Sequence, residues 1–304
     1  MTEKIEVIIP VYKPDREFEK LIFRLKKQTR LPDRIHVINT VSDRFPAKFC
    51  EEQGIHVTHI EKADFDHGGT RDMGMRQSDA DIVVFMTQDA VPADPFLIEH
   101  LTAPFEREDV GAAYARQLPR KDCHIIERYT RSFNYPEKSR LKGKADIPVL
   151  GIKTFFCSDV CAAYSKKAYE ETGGFEKKTI FNEDMILAGH MVEKGYKIAY
   201  AADALVIHSH NYTGIQQFHR NFDLAVSQEE HPEVFAGIAS ESEGIRLVKN
   251  TARYLLREKK GWLIPKLVWH SGCKYLGYRL GRSFRKLPLW LVRKCTMSQS
   301  YWEK

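Results

Sequence analysis

The sequence predicts an α/β fold, in which a doubly wound, mostly parallel, Rossmann-like sheet is followed by a helical C-terminal extension. Three observations predict it. Within the first 90 residues, β-rich apolar runs alternate with segments of helical periodicity, an order typical of parallel sheets with right-handed crossovers. The fourth run, residues 82–86, is apolar at every position, as expected for a strand buried on both faces. From Gly214 onward the periodicity is helical to the end of the chain.

The first part of the chain contains four predicted strands with three helices between them. The strands are residues 6–11, 34–39, 55–60 and 81–86, and the helices are residues 18–25, 45–53 and 69–78. Pro10 and the turn Lys13-Pro14-Asp15 close the first strand, and Gly54 ends the second helix. Glycines open the third helix.

The second part alternates less regularly. Helices are predicted at residues 95–106, 166–172 and 183–194, and strands at residues 110–115, 155–164, 196–201 and 204–208. Gly173-Gly174 and Gly195 follow two of these helices, as is typical of helix ends. Residues 118–151 are polar and interrupted by turn residues, and we expect residues 140–144 to form a mobile loop.

The composition is typical of a soluble globular protein. Of the 304 residues, 43% are hydrophobic and 29% are charged, and the length allows a sizeable core. The chain begins without the apolar core of a signal peptide, and no apolar run reaches the roughly 20 residues of a spanning helix. The six cysteines lack metal-binding spacing, so we expect free, buried thiols in a reducing cytoplasm.

Polar or glycine-rich groups follow each of the four early strands. They are Tyr12, Asn39, the stretch Asp66-His67-Gly68-Gly69-Thr70-Arg71, and Thr87-Gln88-Asp89. Because the carboxyl ends of parallel strands share one edge of the sheet, these groups define one crevice. Two glycines before a helix suit an anion such as phosphate, with Arg71 one turn inside, although a plain turn has the same pattern. Asp89 is well placed to hold a divalent metal against a diphosphate.

An ordered set of motifs runs through residues 5–220, about two-thirds of the chain. The motifs are Val7-Ile8-Ile9-Pro10-Val11-Tyr12, Phe65-Asp66-His67-Gly68-Gly69-Thr70-Arg71, Thr87-Gln88-Asp89-Ala90, Gly173-Gly174-Phe175, Asn182-Glu183-Asp184 and His208-Ser209-His210. With this set the chain resembles family 2 glycosyltransferases of the GT-A fold, in the group that transfers L-rhamnose from a nucleotide diphosphate sugar. The second motif is more similar to the rhamnosyl branch than to the family in general.

The resemblance implies a set of donor-binding residues. They are Pro10, Val11, Tyr12, Asn39, His67, Gly68, Arg71, Gln88 and Arg220. The first three would line the base and ribose, and Asn39 would contact the ribose or base. His67, Gly68 and Arg71 would contact the nucleotide or its phosphates. Arg220 would reach back to the diphosphate, or is instead a surface arginine.

The resemblance also implies a metal site for Mn²⁺ or Mg²⁺. Asp89 matches the second acid of the family's Asp-x-Asp motif, whereas Thr87 stands in the place of the first acid. His208 matches a late histidine that can ligate the metal, and imidazole suits Mn²⁺ better than Mg²⁺. His210 is the alternative ligand. A buried structural histidine is the other interpretation of His208.

The resemblance further implies that three acids act on the acceptor. The resemblance assigns Asp184 as the general base, which inverting transfer needs because the attacking hydroxyl must lose its proton. Glu183 would contact the acceptor, although an acid in a first helical turn is also a common cap. Asp159 falls in the family's acceptor and sugar-binding region, where we expect it to contact an acceptor hydroxyl.

The charge is unevenly distributed along the chain. Residues 245–295 contain 14 Lys and Arg against one acid, Glu258, a net of +13, so the remainder carries −7 of the overall +6. Aromatic and basic residues interleaved on amphipathic helices suit an anionic membrane surface, and a homo-oligomer interface is the rival interpretation. Nucleic-acid binding is disfavoured because the rest of the chain is acidic and carries no recognised motif.

The predicted domains are 1–215, a GT-A domain, and 216–304, a basic amphipathic helical extension. Residues 1–92 would form its nucleotide-sugar-binding half and 93–215 its acceptor-binding half. The expected function is inverting, metal-dependent transfer of L-rhamnose from dTDP-L-rhamnose to a lipid-linked or polysaccharide acceptor in cell-wall, capsule or O-antigen-type synthesis. The alternatives are another UDP- or GDP-sugar donor, or a catalytically weak nucleotide-sugar-binding protein. The expected location is cytoplasmic, peripheral at the inner face of the cell membrane.

Overall fold

The computed structural model describes residues 3–237 and 241–303, which divide into two compact units. The sheet unit comprises residues 3–120, 135–177 and 183–208, and the helical unit comprises 121–134, 178–182 and the described residues from 209 onward. Packing alone defines these units, so the predicted functional division at residues 92 and 215 stays a prediction. Residues 1–2, 238–240 and 304, which the predicted domains include, lie outside the described residues.

One sheet runs through the sheet unit. Its strands, among the described residues, are β1 (Ile5–Tyr12), β2 (Arg34–Thr40), β3 (His56–Ile60), β4 (Ile82–Met86), β5 (Val91–Pro92), β6 (Val110–Leu118), β7 (Arg140–Lys142), β8 (Cys161–Ser165) and β9 (Lys197–Ile207). The order is β3-β2-β1-β4-β8-β6-β9-β5, and β7 pairs with β9. β1 to β4 run parallel, as predicted, and β8 enters antiparallel between β4 and β6.

Thirteen helices are described. They are α1 (Arg16–Leu25), α2 (Ala47–Glu52), α3 (His67–Gln77), α4 (Leu97–Thr102), α5 (Ile125–Asn134), α6 (Ile147–Leu150), α7 (Lys166–Glu171), α8 (Glu183–Glu193), α9 (Gly214–Glu230), α10 (Pro232–Phe235), α11 (Glu241–Arg257), α12 (Ile264–Gly281) and α13 (Leu289–Cys295). Of these, α5 and α9 to α13 belong to the helical unit, so the predicted helical C-terminal region is confirmed.

Helices cover both faces of the parallel strands. Val7, Ile9 and Val11 alternate along β1 and face one apolar cluster, which the buried side of α1 completes. Ile8 points to the other face, where it lies against Gly74 of α3. Each large apolar side chain buried in this way contributes about 1.5–3 kcal/mol. The layering follows from the apolar residues of these strands, and it leaves the strand ends open for ligands.

The prediction of a mobile loop at residues 140–144 is wrong. Arg140–Lys142 forms β7, antiparallel to β9, and the Lys142 side chain is buried. Its ammonium donates to the carbonyl oxygens of Lys153 at 3.0 Å and Phe156 at 2.5 Å, and lies 4.8 Å from the centre of the Tyr114 ring. Burial lowers the pKa of Lys142 to about 7. These distant partners order a polar segment whose local sequence favours a turn.

Further elements differ from the predictions, among them the following three. The strand predicted at residues 155–164 is confined to β8, and a 3₁₀ turn, Gly151–Thr154, precedes it. Helix α5 was not predicted within the polar segment 118–151. The two strands predicted at 196–201 and 204–208 are one strand, β9, whose pairing with β6 shifts between Ala201 and Leu205. That irregularity explains why the sequence suggests a break.

In the helical unit, α12 packs closely against α9. A side chain at Gly277 would collide with the Phe218 carbonyl oxygen, and one at Gly281 with that of Phe222. Two glycines four residues apart therefore let the two backbones approach each other. None of the described helices is long and apolar enough to cross a membrane.

All six cysteines are unpaired and buried, as predicted. Burial raises the pKa of Cys50 to about 11, and it raises that of Cys123 as well. These thiols therefore pack as small apolar side chains.

Candidate active site

Gln88 joins the carboxyl ends of β1 and β4. Its Oε1 accepts the Tyr12 backbone N–H at 2.8 Å, and its Nε2 donates to the Tyr12 carbonyl oxygen at 3.1 Å. The segment after β4 is thereby fixed to the end of the neighbouring strand. Val11 is almost completely buried and Pro10 partly buried, whereas Tyr12 is 39% exposed. Contacts of these four residues with a donor stay predictions.

Asn39, the penultimate residue of β2, has a side-chain acceptor without a hydrogen-bond partner in the described part of the chain. The side chain is buried, and its Nδ2 lies 3.0 Å from Nδ1 of His59, its partner on β3. Its Oδ1 is buried without a hydrogen-bond partner among the described residues. Leaving a buried acceptor unpaired costs about 1–3 kcal/mol, so an N–H group of a ligand would bind favourably here.

The N-terminus of α3 already carries a carboxylate cap. Asp66 Oδ1 accepts the Gly69 N–H at 2.6 Å, and the helix begins at His67, earlier than predicted. Gly68 packs so closely on the Glu176 carbonyl oxygen that any side chain would collide with it. Close packing therefore explains why position 68 is a glycine. The Asp66 carboxylate also competes with any anion that would bind at this helix end. The predicted donor contacts of His67, which is half exposed, and of Gly68 stay predictions.

Arg71 lies in a buried ion-pair cluster. Its Nε is 2.9 Å from Asp159 Oδ2, its Nη1 is 3.1 Å from Glu183 Oε1, and Nη1 also donates to the His67 carbonyl oxygen at 2.9 Å. Asp159 Oδ1 accepts the Tyr164 hydroxyl at 2.6 Å. The cluster joins α3, the segment before β8 and the first turn of α8, three elements far apart in the chain.

Asp184 stands beside this cluster and remains partly exposed. Its Oδ2 accepts the Asp159 backbone N–H at 3.1 Å, and its Oδ1 accepts the Met185 N–H at 2.8 Å. The two backbone donors hold the carboxylate in one orientation. This is the arrangement that a proton acceptor for a bound hydroxyl requires.

Three acids lie near one arginine, and the pKa values of Asp159, Asp184 and Arg71 are shifted as a result. Burial raises the pKa of Asp159 to about 6, with Arg71 opposing the shift and Glu183 adding to it. Burial, then repulsion from Asp159 and Glu183, raises the pKa of Asp184 well above its usual range. Burial opposes the charge of Arg71, but the three acids outweigh that effect and raise its pKa. Asp184 is therefore a stronger base than an ordinary aspartate once it is ionised.

Asp89 and His208 face each other beyond the ends of β4 and β9. Asp89 Oδ2 lies 3.5 Å from His208 Nε2, and the exposed fractions of the two side chains are 25% and 6%. His208 Nδ1 lies 3.0 Å from Gln117 Oε1. A carboxylate oxygen and an imidazole nitrogen at this separation form a donor set that fits Mn²⁺. Thr87, in the place of the missing acid, has a buried hydroxyl without a hydrogen-bond partner among the described residues.

The remaining two predicted residues lie in the helical unit. His210 follows His208 by two positions, so the chain keeps their Cα atoms within about 7 Å. The Arg220 guanidinium lies 4.5 Å from the centre of the Phe181 ring and 5.7 Å from that of Tyr212. Such cation–π contacts hold Arg220 in place. Its contact with a diphosphate stays a prediction.

Sequence reasoning missed Tyr164 and Gln117, which bind Asp159 and His208 respectively. Both stand in strands otherwise rich in alanine, β8 and β6. A buried polar side chain in such a strand needs a partner, and that was the signal available in the sequence.

Comparison with known proteins identifies the fold and the family. The chain matches the family described as "Glycosyl transferase family 2" over residues 6–173. Over 98% of its length it is 40% identical to "O-antigen chain rhamnosyltransferase RfbN" of Salmonella typhimurium, covering 96% of that protein. It is 36% identical to "O-antigen chain rhamnosyltransferase WbaN" of Salmonella anatum, covering 97% of this chain and 95% of that protein.

Solved structures share the architecture at low sequence identity. The mannosyltransferase PcManGT from Pyrobaculum calidifontis, in complex with GDP-Man and Mn²⁺, aligns at 15% identity with a TM-score of 0.59, covering 99% of this chain and 85% of that one. S. aureus TarS with UDP-GlcNAc aligns at 13% identity with a TM-score of 0.56, covering 93% and 92%. The predicted GT-A fold is confirmed. The chain belongs to glycosyltransferase family 2 and is a rhamnosyltransferase-like glycosyltransferase.

Proposed function

We propose that the protein is an inverting, metal-dependent transferase that moves L-rhamnose from dTDP-L-rhamnose to a lipid-linked or polysaccharide acceptor in O-antigen-type glycan synthesis. The single observation that carries the mechanism is Asp184, a partly exposed residue whose carboxylate has a raised pKa and is oriented by two backbone N–H groups. The rhamnose donor and the O-antigen context are supported by the names of the two Salmonella relatives, which align over nearly the whole chain.

Asp184 supports a one-step displacement. In that reaction the acceptor hydroxyl attacks opposite the departing diphosphate, and a carboxylate within hydrogen-bond reach takes its proton. The cluster of Arg71, Asp159 and Glu183 keeps the carboxylate oriented and basic. Asp159 and Glu183 pair with Arg71, and we propose that they hold the acceptor side of the site in shape as well as contacting acceptor hydroxyls.

Asp89 and His208 would hold Mn²⁺ or Mg²⁺, with His210 as a further candidate ligand. When bound there, the ion supplies positive charge that stabilises the departing diphosphate. The nitrogen and oxygen donors present favour Mn²⁺. With one carboxylate, we expect weak binding of the ion until the diphosphate adds its own oxygens.

The donor base would bind at the ends of β1 and β2. The unpaired Asn39 Oδ1 would accept one N–H of the donor base, and the imide of thymine presents such a group. Pro10, Val11 and Tyr12 would line the base and the sugar attached to it. His67, Gly68, Arg71, Gln88 and Arg220 are proposed on the side of the phosphates, with Arg71 and Gln88 acting through the groups they hold.

The proposed donor is tested by measuring nucleotide release from dTDP-L-rhamnose against UDP- and GDP-sugars. The Asp89→Ala variant is expected to lose about 100-fold or more in turnover, because the cation loses its carboxylate ligand and several kcal/mol of stabilisation. Glu106→Ala, which removes an exposed acid, is the matched control and should retain full activity. Preference for another sugar nucleotide would refute the rhamnose assignment, and full activity of Asp89→Ala would refute the metal site.

A catalytically weak nucleotide-sugar-binding protein is the second candidate. It is favoured by one observation, the threonine at position 87 where the family has its first acid. The same assay separates the two functions. Binding of dTDP-L-rhamnose without release of dTDP in the presence of acceptor would establish the weak binder.

We further propose that the enzyme works in the cytoplasm, bound peripherally at the inner face of the cell membrane. Helix α12 exposes Val268, Trp269, Tyr275 and Leu276, each more than half accessible, as two adjacent pairs that lie seven residues, or about two helical turns, apart. Such a stripe lies flat in a membrane interface when basic residues flank it. Each Lys or Arg near an anionic leaflet adds about 1 kcal/mol.

Flotation on vesicles tests this surface. Full-length protein carrying Trp269→Ser and Tyr275→Ser is expected to lose binding to phosphatidylglycerol vesicles, whereas Phe96→Ser, an exposed aromatic of the sheet unit, should bind as the wild type does. Unchanged flotation of the double variant would refute the membrane surface. A change in sedimentation instead would favour a homo-oligomer interface.

A further inference from the structure

Gln117 is a buried amide that connects several parts of the sheet unit. It lies on β6 opposite Val206 of β9 and is 3% exposed. Its Nε2 donates to the Tyr135 hydroxyl at 2.6 Å and to the Ser158 hydroxyl at 3.0 Å. Its Oε1 lies 3.0 Å from His208 Nδ1. Such a side chain in an apolar strand is costly to bury unless these bonds are made.

The two ends of the amide decide which nitrogen of His208 carries the proton. With Oε1 as the acceptor, Nδ1 must be the N–H donor, and in a neutral ring Nε2 then presents a lone pair. Nε2 is the atom 3.5 Å from Asp89 Oδ2. Two lone-pair atoms facing each other at this distance repel unless a cation lies between them. If the Gln117 amide were turned around, its N–H would face Nδ1 of His208 and the ring proton would lie on Nε2. Nε2 could then not bind a metal ion.

We propose that Gln117 is a positioning residue that holds His208 as the Nδ1–H tautomer and thereby sets the affinity of the Asp89–His208 pair for a divalent cation. This inference rests on the metal site in the proposed function. Partners that orient a ligating histidine in this way change metal affinity by about 10–100-fold when removed.

The same amide links the cation site to the acceptor side. Ser158, which accepts one of its N–H groups, immediately precedes Asp159, and the Asp159 N–H binds Asp184. A change at Gln117 therefore acts on His208 through one bond and on the segment before Asp159 through another. The backbone N–H of His208 also binds the Leu118 carbonyl oxygen at 2.9 Å, which holds the histidine close to β6 independently of the amide.

Two variants separate a tautomer effect from a packing effect. Gln117→Leu removes the acceptor and should weaken Mn²⁺ binding about 10–100-fold, measured by electron paramagnetic resonance with Mn²⁺ and dTDP. Gln117→Glu keeps an acceptor for the Nδ1 proton and should bind Mn²⁺ no more weakly than the wild type. Gln28→Leu removes another buried glutamine of the sheet unit, one bonded to Arg24 and Asp94 carbonyl oxygens, and is the matched control with unchanged affinity.

A spectroscopic measurement on the wild type does not depend on any variant folding. In metal-free protein with ¹⁵N-labelled histidine, assigned by its loss in His208→Ala, the His208 ring should show a protonated Nδ1 and an unprotonated Nε2. An Nε2–H tautomer, or equal Mn²⁺ affinity in Gln117→Leu and the wild type, would overturn the proposal. Mn²⁺ affinity and tautomer are read without sugar transfer, so failure of the rhamnose assignment leaves these results standing.

Discussion

The Asp184→Asn variant is expected to turn over about 10²–10⁴-fold more slowly than the wild type and yet to be more stable at pH 8. The rate falls because asparagine cannot take the proton of the attacking hydroxyl. The stability rises because the folded protein buries the ionised carboxylate and holds it close to Asp159 and Glu183, and both effects raise its pKa. Asparagine has nearly the same shape. Its oxygen can accept the Asp159 N–H that Oδ2 accepts now, while its amide nitrogen faces the Met185 N–H, and we expect the relief of charge repulsion to outweigh that lost bond.

The pH dependence has a definite sign. An unfolded aspartate titrates near pH 4, whereas the pKa of folded Asp184 is raised, so wild-type stability falls as the pH rises from about 4 through that raised pKa. Asp184→Asn lacks this slope, and its melting temperature should exceed that of the wild type by about 2–4 °C at pH 8. For the wild type, kcat/KM should fall on the acid side with an apparent pKa that belongs to the coupled carboxylates together.

Melting curves and turnover at pH 5.5 and pH 8 make the comparison. Glu193→Gln, which neutralises an exposed acid at the other end of α8, is the control and should leave both quantities unchanged. Full turnover in Asp184→Asn would remove Asp184 as the base. A slow variant with a lowered melting temperature would point to a structural role.

The Arg71→Met variant is expected to lose about 3–5 kcal/mol of folding free energy at pH 8. Removing one partner of a buried ion pair leaves the other charges uncompensated, and here Asp159 and Glu183 both lose their cation. The loss should shrink toward pH 5, because Asp159 already has a pKa raised to about 6 and becomes neutral there. The variant should also lose activity, since Asp159 orients Asp184.

Urea unfolding at the two pH values measures this effect. Arg107→Met breaks an exposed ion pair with Asp109 and should show no resolvable change, as is usual for surface pairs. The double variant Arg71→Met with Asp159→Asn should recover part of the loss, because the two side chains are in direct contact. An equal loss at both pH values would show that packing, rather than charge, explains the cost.

The parallel half of the sheet was predictable because its information is local. The strands β1 and β4 are nearly continuous apolar runs, β2 carries apolar residues among polar ones, and each strand is followed by a turn signal. The antiparallel part was harder, since β7 owes its order to pairing with β9 and to the contacts of Lys142 with carbonyl oxygens 11 and 14 residues away. Local polarity there favours a loop, and the tertiary contacts override it.

The candidate site shows the same difference between features that local sequence predicts and features that depend on tertiary contacts. The strand-end pattern pointed to Asp89, because the carboxyl ends of parallel strands have recognisable sequences, whereas His208 and Asp184 were assigned by the family resemblance. The pairing of Arg71 with Asp159 and Glu183 joins residues more than 80 positions apart, and no periodicity reports such a pair. Sequence therefore suggested a phosphate ligand for Arg71, whereas the structure shows where its charge is already engaged.

The burial of all six native thiols makes the molecule suitable for site-directed labelling. Maleimide reacts with exposed thiolates, and the native side chains are both hidden and, for Cys50 and Cys123, shifted further toward the neutral thiol. A single Tyr275→Cys substitution on α12 would therefore take an environment-sensitive dye with little background, without first removing any native cysteine. Fluorescence from that dye would report in real time whether the helix binds to a lipid surface.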